Sequence, residues 1–268
     1  MPIISPISLS PISQEEFAAI DYRVMCDAFA CQNELGRLCD EVIYQNDLAA
    51  RLEAGGLGPV RTEVPVIVRH RNFSKTYYLD LVIGNSAIYE VKVAAQLASE
   101  HEAQLLNYLF LEGVGHGKLI NFRPTRVQSR FVNTTLTPQA RRQMAVDTSR
   151  WEEEGDGSRR LRLAFIELLE DWGGFLELPL YLEALTHLLG GEDQVVQGVS
   201  FTRNGLMLGK QRLHLLAPDT AFRVTALPEA DAEDHEHHLR ALLRHSPLRV
   251  MQWLNMVRHK VNLVTLRK

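Results

Sequence analysis

Three β-rich runs follow one another in the first half of the chain, with only short turns between them. They cover residues 64–70, 76–83 and 87–93, and residues 71–75 and the Gly84-Asn85 turn separate them. Apolar runs bounded by turn residues are typical of strands, so the pattern predicts a strand meander. Helical periodicity precedes it over residues 14–54 and follows it over 100–112, and a short apolar run predicts a further strand at 118–122. This order of elements predicts an α/β module.

The second half of the chain has a different character. The polar, acidic residues 148–160 predict a linker or exposed loop, which separates a first domain, residues 1–147, from a second, residues 161–268. The second domain has predicted helices at 161–170, 176–189, 232–245 and 248–258, and predicted strands at 195–201, 206–216, 221–226 and 261–266. We therefore expect a smaller α+β domain, and no motif in it indicates a particular chemistry.

The charges are distributed unevenly along the chain. The formal net charge is −4, but residues 61–150 and 201–268 each carry +5, against −6 for 1–60 and −8 for 151–200. Clustered cations are the usual source of affinity for nucleic acid. A phosphate-facing surface could include these basic residues of the first block: Arg69, Arg71, Lys75, Arg123, Arg126, Arg130, Arg141 and Arg142. Scattered, solvated charges are the alternative.

Several features predict a cytoplasmic protein with no membrane partner. No apolar stretch approaches the run of about 18 residues that spans a bilayer. The apolar first 13 residues are interrupted by three prolines and lack the basic start of a secretory signal. Three cysteines, Cys26, Cys31 and Cys39, cannot all pair into disulfides, which fits a reducing compartment.

One group of polar residues in the meander indicates chemistry. Asp80 lies in the second strand run, and Glu90 and Lys92 lie on one face of the third, because side chains alternate across a strand. Two carboxylates one strand apart suit a hard divalent cation, and a neighbouring lysine could orient or deprotonate water or stabilise charge on a phosphoryl group. These are the groups that phosphodiester hydrolysis requires. Exposed cross-strand positions joined by an ion pair are the alternative.

Asp80, Glu90 and Lys92, on a strand hairpin between two helices, resemble the motif of the PD-(D/E)XK nuclease superfamily. More narrowly, residues 28–133 resemble the bacterial GxxExxY family within it. The matching stretches are 35–36, 41–44, 63–66, 80–82, 89–92, 100–109 and 119–122. One position departs from the pattern: Leu38 stands where the family has its glycine, although Glu41 and Tyr44 remain.

The resemblance implies a fold, a cofactor and roles for individual residues. It implies a nuclease-like core with a mixed central sheet flanked by helices, in which Asp80, Glu90 and Glu41 bind Mg²⁺ or Mn²⁺ and Lys92 is the catalytic lysine. Gln104 and Tyr108 are similar to a Gln-x3-Tyr motif that supports the site and contacts DNA. The residues expected to bind DNA or support the site are Gln104, Tyr108, Tyr44, Arg69, Arg71 and Arg123. Ordinary surface or half-buried helix positions are the alternative for Glu41, Gln104 and Tyr108.

Three functional hypotheses follow from the resemblance. The first is a metal-dependent nuclease that hydrolyses phosphodiester bonds in DNA, in repair, recombination or defence. The second is a catalytically inactive module that keeps the nuclease fold and binds nucleic acid or protein, since a fold does not fix a function. The third is an enzyme whose C-terminal domain selects a substrate such as branched DNA and which acts as a homodimer, as the similar Holliday-junction resolvases do.

Overall fold

The computed structural model describes residues 2–268 and shows two compact units. The first contains the chain up to Arg69 and Ser74–Pro138, and the second contains His70–Phe73 and Gln139–Lys268. Each unit has a six-stranded sheet with both parallel and antiparallel pairs. This confirms the expected α/β architecture with a second α+β domain, although the second unit is about as long as the first rather than smaller. Within residues 2–268, no helix combines the length and apolar character needed to cross a membrane.

Residues 2–133 form six strands and three helices. They are β1 (Ile3–Ile4), α1 (Gln14–Leu35), α2 (Glu41–Ala54), β2 (Val60–His70), β3 (Phe73–Ile83), β4 (Ala87–Lys92), α3 (Ser99–Glu112), β5 (His116–Asn121) and β6 (Gln128–Asn133). The strands lie in the sheet in their order along the chain. β3 and β4 are antiparallel, with Leu81 opposite Tyr89, whereas β4 and β5 are parallel. A parallel pair needs a crossover connection, and α3 provides it.

The predicted helix over residues 14–54 is two helices. Gly36 ends α1 with a φ of 73°, a left-handed value that residues with a Cβ rarely adopt, and its N–H donates to the carbonyl of Gln32. α2 then begins after Asp40. Periodicity alone did not reveal the break, because apolar residues continue at near-helical spacing through it, at Leu35, Leu38 and Val42.

The two helices build the core that orients the site strands. Phe17 of α1 and Tyr44 of α2 share one buried cluster with Leu81, Tyr89 and Val91 of β3 and β4. Since side chains alternate along a strand, this packing turns their neighbours, Asp80, Glu90 and Lys92, to the opposite side of the strands.

The rest of the chain forms the second unit's helices and strands. They are α4 (Pro138–Arg142), β7 (Ala145–Arg150), α5 (Gly155–Trp172), α6 (Leu178–Leu188), α7 (Glu192–Val195), β8 (Val196–Arg203), β9 (Leu206–Ala217), β10 (Thr220–Thr225), α8 (Glu229–Arg244), β11 (Val250–Val257) and β12 (Lys260–Arg267). The strand order in the sheet is β7-β12-β11-β10-β9-β8, so β7 and β8 are its edges.

The predicted helix at 248–258 is wrong, because Val250–Val257 forms the central strand β11. Seven consecutive residues, 250–256, are buried, since β11 is hydrogen-bonded on both sides and covered on both faces. A continuous apolar run of this kind has no period of two, so pattern alone cannot separate a buried strand from a buried helix.

The acidic stretch 148–160 is not an unstructured linker. Ala145–Arg150 is strand β7, which pairs in parallel with β12, and α5 begins at Gly155. The sequence of β7 has the character of a loop because all six of its residues are exposed at the sheet edge. The change from the first unit to the second falls between Pro138 and Gln139, earlier in the chain than the predicted boundary.

Candidate functional site

Lys92, the last residue of β4, lies among three carboxylates. Its Nζ donates to Glu90 Oε1 at 2.7 Å and lies 3.9 Å from Asp80 Oδ2 and 3.8 Å from Glu41 Oε1. The structure therefore brings together all four residues of the predicted catalytic set. We refer to Glu41, Asp80, Glu90 and Lys92 as the acidic pocket.

Asp80 is held by the neighbouring strand. Its Oδ2 accepts a hydrogen bond of 2.8 Å from the backbone N–H of Val91. Burial raises the pKa of Asp80 to about 6, against the opposing effects of the Lys92 charge and the Val91 hydrogen bond. The charges of Glu41 and Glu63 act in the same direction as burial.

Glu90 is the most deeply buried member of the pocket. Only 1% of its side chain is exposed, and its Oε2 atom has no hydrogen-bond partner in the described structure. Burial, followed by the charge of Asp80, raises the pKa of Glu90 to about 8, although the Lys92 ammonium opposes this. A buried carboxylate with a free oxygen favours the approach of a proton or a cation.

The surrounding carboxylates favour the charged form of the Lys92 side chain. Burial works to lower the pKa of the Lys92 ammonium, but the Glu90, Asp80 and Glu41 carboxylates outweigh it and raise that pKa. Lys92 is therefore protonated at neutral pH and acts in the pocket as a cation.

Glu41 is the first residue of α2 and the most accessible carboxylate of the pocket. Its side chain is 43% exposed, in contrast to those of Asp80 and Glu90. The backbone N–H groups of the first helical turn are unpaired within a helix, and the helix dipole there favours negative charge. Glu41 thus brings a solvated carboxylate to the open side of the pocket.

The donor set of the pocket fits a hard divalent cation, but it is not a preformed cage. Within residues 2–268, no three His, Cys, Asp or Glu side chains converge closely enough to hold a metal ion. Lys92 lies between the carboxylates instead, within 4 Å of each. The potential ligands are nevertheless carboxylate oxygens, which Mg²⁺ and Mn²⁺ prefer, and Glu90 Oε2 is buried without a partner. Binding an ion here would require side-chain rearrangement around Lys92.

Gln45 and Glu63 are two further residues of this region that the sequence patterns did not identify. Gln45 lies one turn after Glu41, is buried, and its Nε2 donates to the Asp80 carbonyl at 2.5 Å and to Glu63 Oε1 at 2.8 Å. Glu63 has a φ of 53°, which is uncommon for a residue with a Cβ. The spacing of Gln45 from Glu41, four residues along one helix, was the signal available in the sequence.

Asn121 holds in place the backbone that follows Lys92. It is fully buried opposite Lys92 in the β4–β5 register. Its side chain accepts from the N–H of Ala94 and donates to the carbonyl of Ala94, at 3.0 and 2.8 Å. The backbone carbonyl of Lys92 also accepts from the N–H of Phe122. These bonds fix the exit of β4 two residues after Lys92.

Tyr44 supports the site indirectly, through the loop before α2. Its ring stacks on Phe122 with centroids 4.5 Å apart, and its hydroxyl donates to the Gly36 carbonyl and accepts from the Cys39 N–H. Burial raises the pKa of the Tyr44 hydroxyl. This side chain is buried, so it positions the α1–α2 connection and is not a surface contact for DNA.

Gln104 and Tyr108 contact each other on α3. Gln104 Nε2 donates to the Tyr108 hydroxyl at 2.9 Å, and the Tyr108 ring meets that of Tyr77 edge to face. The predicted pairing of these two residues on one helix face is thus present. Their contact with DNA stays a prediction.

The three arginines proposed as DNA contacts are in different surroundings. Arg71 forms an ion pair with Glu167 at 2.5 Å, within the second unit, so its guanidinium is already engaged. Arg123 is half-buried, with its backbone N–H directed to Asn121, and Arg69 is exposed. A common phosphate-facing surface of these arginines remains a prediction.

Comparison with models of known protein families finds one match. Residues 18–132 match the family model of the PD-(D/E)XK nuclease superfamily. The solved structure of SSO0001 is similar over 42% of this chain and 66% of that chain, which is just under two thirds of its length, with 21% identity and a TM-score of 0.27. No match was found among curated proteins. The family match contains the whole acidic pocket.

Proposed function

We propose that the chain is a metal-dependent nuclease that hydrolyses phosphodiester bonds in DNA. The observation that carries this proposal is the acidic pocket itself. Three carboxylates lie within 4 Å of a protonated lysine, inside the segment that matches the PD-(D/E)XK nuclease superfamily. A structural ion pair would need only one of these carboxylates.

The metal ligands would be Asp80, Glu90 and Glu41. Mg²⁺ or Mn²⁺ bound there would supply Lewis acidity toward a phosphoryl oxygen and an acidified water. Asp80 and Glu90 must lose their protons to bind a cation, and their raised pKa values make this binding favourable only toward higher pH. Glu41, the most exposed of the three, would complete the site from the side of solvent.

Lys92 would act as a cation rather than as a base. Its pKa is raised, so the ammonium form predominates and has no lone pair to accept a proton from water. A protonated lysine close to the scissile phosphate stabilises the negative charge that develops on the phosphoryl oxygens. We therefore assign it charge stabilisation and positioning of the phosphate, with Glu90 holding its Nζ in place.

Cleavage of labelled DNA tests the proposal. The purified chain is incubated with single-stranded and duplex DNA in Mg²⁺, in Mn²⁺ and in EDTA. We expect cleavage that needs the metal and is lost in Lys92→Ala and Asp80→Asn. Glu53→Gln is the matched control, because Glu53 is an exposed acidic residue of the same helix as Glu41. Unchanged cleavage by Lys92→Ala, with the fold intact, would reject the assignment of the pocket.

A catalytically inactive binding module is the second candidate. The observation in its favour is that Lys92 fills the space between the carboxylates, so that no three-ligand group is preformed among residues 2–268. Calorimetric titration separates the two candidates. Failure of the wild-type protein to bind Mg²⁺ or Mn²⁺, even with DNA present, together with an absence of cleavage, would favour the binding module.

The remaining expectations belong to this proposal as well. A cytoplasmic location would be tested by cell fractionation, and a homodimer by the mass of the protein in solution. Cleavage of a four-way junction against linear duplex would test selection of branched DNA by the second unit.

A further inference from the structure

The hairpin of β8 and β9 in the second unit presents a long exposed segment. The two strands turn at Asn204-Gly205, where both residues have positive φ, as a tight two-residue hairpin requires. Every residue from Thr202 to Arg212 is exposed. Below the tip, the N–H of Thr202 donates to the carbonyl of His245, so the hairpin is anchored at that point.

The tip of this hairpin is apolar. Leu206, Met207 and Leu208 are 67%, 56% and 58% exposed, and they are consecutive. Scattered exposed apolar residues are ordinary, but three adjacent ones beside the edge strand β8 are not, since proteins usually protect sheet edges from association. Because side chains alternate along a strand, Leu206 and Met207 point to opposite faces, so the tip exposes apolar side chains on both faces of the hairpin.

The flanks of the tip are cationic. Arg203, Lys210 and Arg212 lie in the hairpin, and no acidic residue occurs from 194 to 217. Arg212 pairs with Glu192, whereas Arg203 and Lys210 form no ion pair with any residue from 2 to 268. The hairpin is thus positively charged with an apolar tip, whereas the chain as a whole has a net charge of −4.

We propose that this β8–β9 tip binds DNA that has unpaired bases. Phosphates would meet Arg203 and Lys210, and exposed base faces would meet Leu206, Met207 and Leu208. The charge of the hairpin is complementary to that of the phosphate backbone, and its apolar tip is complementary to base faces, which a fully stacked duplex hides. A symmetric dimer through the same tips would bring two cationic hairpins together, which disfavours a second copy as the occupant.

This inference rests on the proposed function and gives it a narrower substrate class. It assigns the second unit a contact with single-stranded or forked DNA, separate from the chemistry of the acidic pocket.

Two hairpin variants of the full chain test it. Leu206→Ser/Met207→Ser/Leu208→Ser removes the apolar tip, and Arg203→Gln/Lys210→Gln removes two charges. Arg159→Gln/Arg244→Gln is the matched control, because it removes two exposed charges of the same unit outside the hairpin. Binding to labelled single-stranded, forked and duplex DNA is measured by fluorescence anisotropy in EDTA over a series of salt concentrations. Thermal unfolding checks the fold of each variant.

The two variants should differ in salt dependence. We expect the apolar variant to bind single-stranded and forked DNA about tenfold more weakly or worse, with an unchanged salt slope. The charge variant should reduce the slope of log affinity against log salt by about 0.7 for each phosphate that the hairpin no longer neutralises. The control should bind as the wild type does.

Several outcomes would overturn the proposal. These are wild-type affinity in both hairpin variants, an equal weakening of binding in the control, tighter binding of RNA than of DNA, or no binding by the wild type. A change of solution mass in the apolar variant without a change in DNA binding would identify a second copy as the occupant. Cleavage by the wild-type protein is assayed separately, so a nuclease whose hairpin variants bind normally would refute only this inference.

Discussion

Glu90 is the most deeply buried carboxylate of the acidic pocket, and its burial works against the stability of the fold. Its folded-state pKa of about 8, and that of about 6 for Asp80, lie above the ordinary values of 4.5 and 3.8 for these carboxyl groups. The folded protein therefore binds more protons than the unfolded chain in the pH range between the ordinary and the raised pKa values. The stability that comes from holding these protons is complete below about pH 4 and is lost as the pH rises through 6 and 8.

Replacing Glu90 by glutamine should accordingly stabilise the metal-free protein at high pH. Glutamine carries no charge to desolvate, so the melting temperature of Glu90→Gln should exceed that of the wild type increasingly from pH 6 to pH 9. A gain of about 1 kcal/mol corresponds to about 2–4 °C for a protein of this size. Scanning calorimetry in EDTA across this pH range measures it. A pH-independent difference would show that Glu90 is not protonated more readily in the folded state.

A second prediction concerns the side chain of Gln45. Gln45→Ala should lower metal affinity or cleavage by about ten- to hundredfold, because outer-sphere hydrogen bonds orient site residues, and the link from α2 to Asp80 and Glu63 would be removed. Manganese titration and the separate measurement of kcat and KM check this. Asn46→Ala, at the exposed next residue, is the control. An equal decrease in both variants would point to a general effect on the helix.

Sequence could predict Asp80, Glu90 and Lys92, but not the residues that hold them. Strand alternation is local, so it places Glu90 and Lys92 together without knowledge of the fold. Gln45 and Asn121 act through bonds to residues far along the chain, at Asp80 and Ala94, and no local pattern contains that information.

At the scale of elements, α1 is attached to the sheet by a buried ion pair. Lys118 Nζ of β5 lies 2.6 Å from Asp21 Oδ2 of α1 and 4.1 Å from the centre of the Phe131 ring, and both charged side chains are almost fully buried. A buried pair stabilises little by itself, but each partner requires the other, because a lone buried charge is costly.

A double-mutant cycle should expose this dependence. Lys118→Met leaves Asp21 buried and unpaired, so we expect the free energy of unfolding to fall by about 3–5 kcal/mol. Asp21→Asn/Lys118→Met should recover most of this decrease. Urea unfolding of the single and double variants provides the measurement, and simple additivity of the two substitutions would contradict the expected coupling.

Element prediction succeeded where periodicity was distinctive and failed where it was not. β4 follows the Gly84-Asn85 turn and its predicted range, 87–93, is right to within one residue, whereas β3 begins at Phe73, inside the predicted separator 71–75. β11 is apolar throughout and its pattern predicts a helix, whereas β7 is fully exposed and its pattern predicts a linker. β7 pairs with β12, which lies far later in the chain, so no local pattern contains that pairing. β11 lies between β10 and β12, and its burial on both faces removes the period of two by which a strand is recognised.

For the whole molecule, the proposed metal should act as a stabilising ligand. A cation that binds only the folded chain at about 100 times its dissociation constant adds about 2.7 kcal/mol. We expect Mn²⁺ to raise the melting temperature, and to raise it more at pH 8 than at pH 6, because the carboxyl groups must first lose their protons. Differential scanning fluorimetry with wild type and Asp80→Asn checks this. A shift of equal size in Asp80→Asn would locate metal binding elsewhere.

The position of Lys92 has a consequence for how such a protein is made in the cell. Three carboxyl groups gathered at one point repel one another as they ionise, so without an internal cation they would depend on a bound ion to offset this repulsion. Lys92 acts as a covalently attached counterion that is present from synthesis. The polypeptide can therefore reach its folded state before the proposed metal ion binds.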